Sequence, residues 1–253
     1  MTRAAFRERG LVKGAAFAMP ALAGGVRPAG AATFPPGFQE TTILTGLSRP
    51  TAVTFAADGR VFVAEKSGLV KVFDSFADTT PTTFADLRPE VYDYWDRGLL
   101  GLELHPGFPA TPYVYVLYTL DKNPANPASS IPTWGDTCPA VPGATTDGCV
   151  ASARLSRLSA SGNVMVPGSE QVLLGLLDDG GGQAWCQQFP SHSIGSLAFG
   201  SDGALYVSSG DGASFNTEDY GQLGGTLPNT TTPLVPRNRA RSSSPTTTAR
   251  WCS

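Results

Sequence analysis

Charge is scarce in this 253-residue chain: Asp, Glu, Lys and Arg make up 15% of it, and the formal net charge is −3. No basic stripe crosses the patterned part of the sequence. That argues against a nucleic-acid partner, whose phosphates call for clustered Lys and Arg. Long apolar runs are missing as well. The stretch from Gly14 to Val26 is too short, and too interrupted by glycine and proline, to span a membrane, and no other stretch is a transmembrane candidate. The chain has only two histidines and four cysteines. The cysteine spacing matches no common zinc pattern, and neither His105 nor His192 lies beside a cysteine. There is no Ser-His-Asp spacing and no dinucleotide fingerprint. Gly180-Gly181-Gly182 follows Asp178-Asp179 without a helix after it, so it reads as a turn and not a phosphate cradle.

Glycine (29) and proline (21) are abundant, and 41% of the residues are hydrophobic, a profile that fits a turn-rich all-β protein. One stretch occurs twice. Val53 to Gly68 lines up without a gap on Leu197 to Gly212. Each copy has an alternating strand, an Asp-Gly turn (Asp58-Gly59, Asp202-Gly203), a second alternating strand and a closing glycine. Asp-Gly between two such runs is a strong hairpin signal, because the tight turn needs positive φ at its centre. A hairpin that recurs at long intervals predicts a radially repeated sheet, a β-propeller. Blade one takes Thr51–Phe55, Arg60–Glu65, Leu69–Phe73 and Thr83–Leu87 as its strands. Blade two takes Leu99–Leu104, Tyr113–Tyr118, Ala151–Leu158 and an edge strand near Glu170–Leu177, with Asp121 to Cys149 as a long inserted loop. Blade three starts at Ile194 and runs to about Val207.

The two ends read differently. Arg3, Arg7, Arg9 and Lys13, then the small apolar run, then Ala29-Gly30-Ala31-Ala32 form an export-signal pattern covering residues 1–32. In an exported protein, Cys138 and Cys149 make a plausible disulfide closing a Pro/Gly loop. Residues 33–225 are read as a partial propeller. From Thr226 to Ser253 alternation stops and Thr, Ser, Pro, Arg and Asn take over, which predicts a disordered tail. The abrupt onset inside a blade suggests a shifted or truncated reading frame near residue 226; a genuine flexible tail is the alternative. About two and a half blades would leave edge strands open.

Four residues are candidates for chemistry. His192 precedes an inner strand, in Pro190-Ser191-His192-Ser193-Ile194, and would face the channel mouth. A neutral imidazole suits a general base; a surface or hydrogen-bonding histidine is the plainer reading. Asp96-Arg97 stands before Gly98-Leu99-Leu100-Gly101 at the matching end of blade two, as a solvated ion pair or as contacts to a polar ligand. Asp211 follows the second strand of blade three, as a turn former or a ligand contact. His105, before Pro106-Gly107, reads as a turn-stabilising residue.

Together these segments resemble the soluble quinoprotein glucose/sorbosone dehydrogenase family. The resemblance rests on Gly46-Leu47-Ser48-Arg49-Pro50 with the Asp58-Gly59 hairpin; on Gly98-Leu99-Leu100-Gly101-Leu102-Glu103-Leu104-His105-Pro106-Gly107-Phe108; and on His192 through Gly195 to Phe199, with Asp202-Gly203 and Gly210-Asp211. It covers about Thr41 to Gly225, and implies the first half of a six-bladed propeller. It also implies oxidation of an aldose or related sugar hydroxyl, with pyrroloquinoline quinone (PQQ) as hydride acceptor, calcium as a bridging Lewis acid, and an external electron acceptor. His192 would be the base; Asp96, Arg97 and Asp211 would lie at the cofactor. Two positions depart from the glucose-oxidising members. Asp96 stands where they place a glutamine, and Ser191 where they place an aspartate. Those departures keep a rival open: a non-catalytic extracellular propeller that binds carbohydrate or protein. A lactonase-like hydrolase would need axial acidic metal ligands, and no clear set is present.

Overall fold

A computed structural model describes residues 34–124, 126, 128–140, 149–176, 185–187 and 189–210. The expected signal segment, the tail from 226 and Asp211 lie outside the described residues. Among the described residues every regular element is a strand, and no helix is long and apolar enough to cross a membrane. The chain is all-β and forms part of a β-propeller.

The first blade is an antiparallel sheet of β1 (Pro50–Phe55), β2 (Val61–Glu65), β3 (Leu69–Phe73) and β4 (Thr82–Asp86), in that order. Its first turn is built on Gly59 at φ 94°, with the Gly59 amide donating to Ala56 (3.0 Å) and the Ala56 amide to Arg60 (2.9 Å). The second blade runs β5 (Leu99–Leu104), β6 (Tyr113–Leu120) and β7 (Ala151–Ser161). The edge strand expected near 170–177 is present at 171–174, and a second strand continues that edge. These are β9 (Gln171–Leu174) and β10 (Trp185–Gln187), both paired with β7, after a short β8 (Val164–Met165). The break falls at Gly175, where φ is 82° and a Cβ would lie 2.1 Å from the Ala153 carbonyl oxygen. The third sheet is the hairpin β11 (Ile194–Phe199) and β12 (Leu205–Ser209).

The blades pack face to face, and β6 shows how. Val114, Val116 and Tyr118 face the first blade, packing with Phe62, Val70, Phe84, Leu102 and Leu158. The alternate residues Tyr115 and Leu117 face the third, packing with Leu155, Ile194 and Leu197. This is the period-two alternation of a strand buried on both faces. Each such side chain removed from water stabilises the fold by about 1.5–3 kcal/mol. The inner strands β1, β5 and β11 lie side by side. The Thr51 hydroxyl donates to the Leu99 carbonyl at 2.6 Å. Gly101 has no room for a side chain, since a Cβ there would meet Leu117 Cβ at 2.9 Å and Leu197 Cγ at 3.2 Å.

Strand direction sorts the loops into two ends. The Asp-Gly turns at 58–59 and 202–203 lie at one end, with His105, whose Nδ1 accepts the Gly107 amide at 3.0 Å. The loops leading into β1, β5 and β11 lie at the other, together with the inserted loop after β6. Backbone bonds tie this second end together: Leu99 N–H to the Lys66 carbonyl across blades (2.9 Å), and Thr119 to Gly98 (3.0 Å) and Tyr92 to Thr119 (2.8 Å) around blade two. The inserted loop is organised by one carboxylate. Asp121 accepts the amides of Thr133 (3.1 Å), Trp134 (2.7 Å) and Gly135 (2.7 Å). Cys138 and Cys149 are joined by a disulfide, with their Cα atoms 5.7 Å apart.

Candidate functional site

Backbone strain marks the end of the molecule where chemistry would sit. Four non-glycine residues among those described have positive φ: Arg49 (47°), Trp95 (50°), Asp136 (58°) and His192 (48°). All four lie at the end opposite the Asp-Gly turns. Three of them occupy the lead-in loops of the inner strands: Arg49 before β1, Trp95 before β5 and His192 before β11. The left-handed region costs a non-glycine residue about 1–2 kcal/mol, and it persists only where surrounding contacts impose it.

His192 is exposed, while its neighbours Ser191 and Ser193 are buried. The hydroxyl of Ser191 donates to Asp96 Oδ2 at 2.5 Å, and the Asp96 amide donates to the Pro190 carbonyl at 3.1 Å. The structure thus brings His192 and Asp96 to one place from loops of different blades, through a bond that spans 95 residues. Trp95, 45% exposed, stands beside them. Its ring stacks on Tyr94 (5.9 Å between centroids, 18° between planes) and meets the edge of buried Phe189 (6.0 Å, 86°), three residues before His192. The two ring contacts hold an exposed indole in a set orientation.

Asp96 and Arg97 part company. Arg97 is fully buried, its Nη1 donating to the Cys149 carbonyl and its Nη2 to the Gln187 carbonyl (2.6 Å), with the guanidinium 5.0 Å over the Tyr92 ring. A solvated Asp96–Arg97 ion pair is therefore not what forms. Burial pushes the Arg97 guanidinium down to about 10, with the Tyr92 phenol opposing that shift, so it stays charged at neutral pH. The same burial pushes the Tyr92 phenol up. Arg97 is the floor beneath the site: it ties the loop into β5 to the end of the disulfide loop and to β10.

Beside this floor lies a charged cluster. Asp93 pairs with both Arg49 and Lys66, and its amide donates to Asp136 Oδ1 at 2.7 Å. Among the described residues no three His, Cys, Asp or Glu side chains gather as a metal cage. For a planar, anionic quinone the fit is mixed. An exposed imidazole and a flat indole suit it, whereas the Asp96 carboxylate would repel its acid groups.

The sequence pointed to His192 and Asp96 as candidates; Trp95 and the Ser191–Asp96 bond emerge only from the structure. The signal for Trp95 was two large aromatics, Tyr94-Trp95, in a polar loop just before an inner strand. No local signal announces the bond, because its partners lie in different blades.

The sequence profile described as glucose / sorbosone dehydrogenase matches residues 47–230. Quinoprotein glucose dehydrogenase B of Acinetobacter calcoaceticus is 30% identical over 98 residues, which is 38% of this chain and 20% of that protein. Hedgehog-interacting protein of Mus musculus is 29% identical over 86 residues, 32% of this chain and 12% of that protein. A solved oxidoreductase from Thermus thermophilus, described as a glucose dehydrogenase, is 28% identical with a TM-score of 0.45, covering 78% of this chain and 47% of that one. The chain thus spans about half the length of that structure, and the aligned parts are smaller shares of the two curated relatives.

Proposed function

The chain belongs to the glucose / sorbosone dehydrogenase family, and from that premise we propose that it is part of an exported sugar dehydrogenase with His192 as its general base. The observation that carries the proposal is an exposed imidazole on a left-handed backbone at φ 48°, in the loop leading into an inner strand. It sits at the end of the propeller where the strained residues gather. The substrate class is an aldose or a related sugar alcohol, and the electrons go on to an external acceptor. Export agrees with the Cys138–Cys149 disulfide, since such bonds persist in oxidising compartments.

In the reaction the substrate hydroxyl gives its proton to a ring nitrogen of His192 while the carbon gives up hydride, leaving the carbonyl product. PQQ, when bound, would supply the hydride-accepting quinone. The protein's own part is threefold. His192 holds the proton, a contribution typically worth about 10²–10⁴ in rate. Trp95 offers a flat apolar face against which a ring can be oriented. Arg97, from below, fixes the loop that carries Trp95 and Asp96. Among the described residues the cations beside the site, Arg49 and Lys66, are paired with Asp93, and no carboxylate cage for calcium gathers.

A binding propeller without redox chemistry is the second reading, favoured by the similarity to a protein named for its interaction with another. Two measurements on the full-length protein separate the readings. One is absorbance during titration with PQQ; the other is dye reduction across a panel of aldoses with the cofactor and calcium supplied. A spectral shift together with sugar-dependent reduction is expected. Failure of both would leave the binding reading standing.

A further inference from the structure

We infer that Asp96 is a positioning residue for His192, acting through Ser191 and not by touching a ligand. This rests on the assignment of His192 as the base. The backbone of His192 is clasped on both sides. On its N-terminal side, the Ser191 hydroxyl donates to Asp96 Oδ2 (2.5 Å) and the Asp96 amide donates to the Pro190 carbonyl (3.1 Å). These two bonds run in opposite senses and staple the loop into β5 to the loop into β11. A hydroxyl donating to a carboxylate is a short, charge-assisted bond; here its serine is 4% exposed and its carboxylate faces solvent.

On the C-terminal side, the Gly210 amide donates to the Ser193 carbonyl at 2.6 Å. Gly210 lies so close that a Cβ there would stand 2.1 Å from the His192 carbonyl oxygen. Between the two clasps His192 takes its left-handed φ of 48°. The direction of the imidazole therefore follows from where the staple holds the Ser191 Cα. Asp96 commits one carboxylate oxygen to this staple, so its charge serves the protein's geometry.

The chain's two histidines make the test direct, since His105 sits at the far end as an internal reference. Ser191→Ala, Asp96→Asn and the double variant are compared with wild type, and Ser191→Thr keeps the hydroxyl. In the full-length protein with PQQ supplied, each single variant should lower kcat by between about 10- and 100-fold, the scale of a misplaced catalytic group. The sugar KM should stay unchanged in both, and the quinone absorbance titration should stay unchanged in Ser191→Ala, which keeps the Asp96 charge, and should not weaken in Asp96→Asn. The double variant should be no worse than either single one, as expected for two ends of one bond. Independently of turnover, the His192 Cε1–H NMR signal should move or broaden in both single variants and return in Ser191→Thr. The His105 signal should stay put. Weakened quinone binding in Asp96→Asn with kcat intact would overturn the inference and make Asp96 a ligand contact. An unmoved His192 signal would overturn it too. If wild type oxidises no sugar, the base assignment falls, while the NMR comparison still decides whether the staple orients His192.

Discussion

The two repeated hairpins, β1–β2 and β11–β12, share a turn and differ in what holds them. In both, the turn glycine has positive φ, 94° at Gly59 and 79° at Gly203. In both, the same two backbone bonds close the loop: Gly59 to Ala56 and Ala56 to Arg60 in one, Gly203 to Gly200 and Gly200 to Ala204 in the other, at 2.9–3.0 Å. The lead-in loops also match in kind. Each has a serine followed by a left-handed non-glycine residue: Ser48-Arg49 and Ser191-His192. The difference is the source of the carboxylate that holds the serine. The Ser48 amide donates to Glu65 Oε1 at 2.7 Å, inside its own hairpin, and Lys71 neutralises that acid at 2.7 Å. The Ser191 hydroxyl instead donates to Asp96 of the neighbouring blade. One serine is held from within its own hairpin; the other is held from the neighbouring blade, beside a histidine. Local code makes the turn, and inter-blade contact makes the site.

Breaking the burial half of this comparison should have the largest effect. Phe62 and Tyr206 hold the same place in the two repeats, but Phe62 is 0% exposed, edge-on to Phe84 and Phe108, whereas Tyr206 is 58% exposed. Phe62→Ala should cost about 3–5 kcal/mol in chemical denaturation. Tyr206→Ala should cost about 0.5 kcal/mol or less. Equal losses would mean that the second hairpin is as deeply packed as the first.

The turns themselves should respond alike. A Cβ at Gly59 or Gly203 meets nothing within 4 Å, so only the positive φ penalises a side chain. Gly59→Ala and Gly203→Ala should each cost about 1 kcal/mol. A gap of several-fold between them would show that the two turns are not equivalent.

The smallest effect concerns acid. Asp58 is held below the usual carboxylate range first by the Arg60 guanidinium, and Asp202 first by the Ala204 amide with help from the Tyr206 hydroxyl. A depressed carboxyl contributes stability that is full above its unfolded pKa of about 3.9 and is lost as pH falls through the folded value. Asp58→Asn should therefore flatten the acid limb of the stability curve by about 1 kcal/mol or less. Added salt should erase the Asp58 contribution, which rests on a charge pair, and spare that of Asp202. Equal salt sensitivity would refute this distinction.

Strand order, the hairpins and the inner-strand positions were legible in the sequence because alternation and Asp-Gly turns are local signals. Three features were not. The edge of blade two splits because Gly175 passes against the Ala153 carbonyl, a contact set by tertiary packing. Arg97 is buried because two carbonyls and the Tyr92 face await it, the carbonyls from residues far away in the chain. The Ser191–Asp96 staple spans 95 residues and joins loops that lead into two different blades. Read together, Ser191 and Asp96 hold a carboxylate on the residue that precedes the histidine.

The central claim is that His192 is the base of a sugar dehydrogenase. Its most direct test is the initial rate of sugar-dependent dye reduction by full-length wild type and His192→Ala, with PQQ supplied and circular dichroism confirming that both fold. The account predicts turnover in wild type and a loss of at least about 100-fold in the variant. Turnover retained in His192→Ala, or absent from wild type, would contradict it.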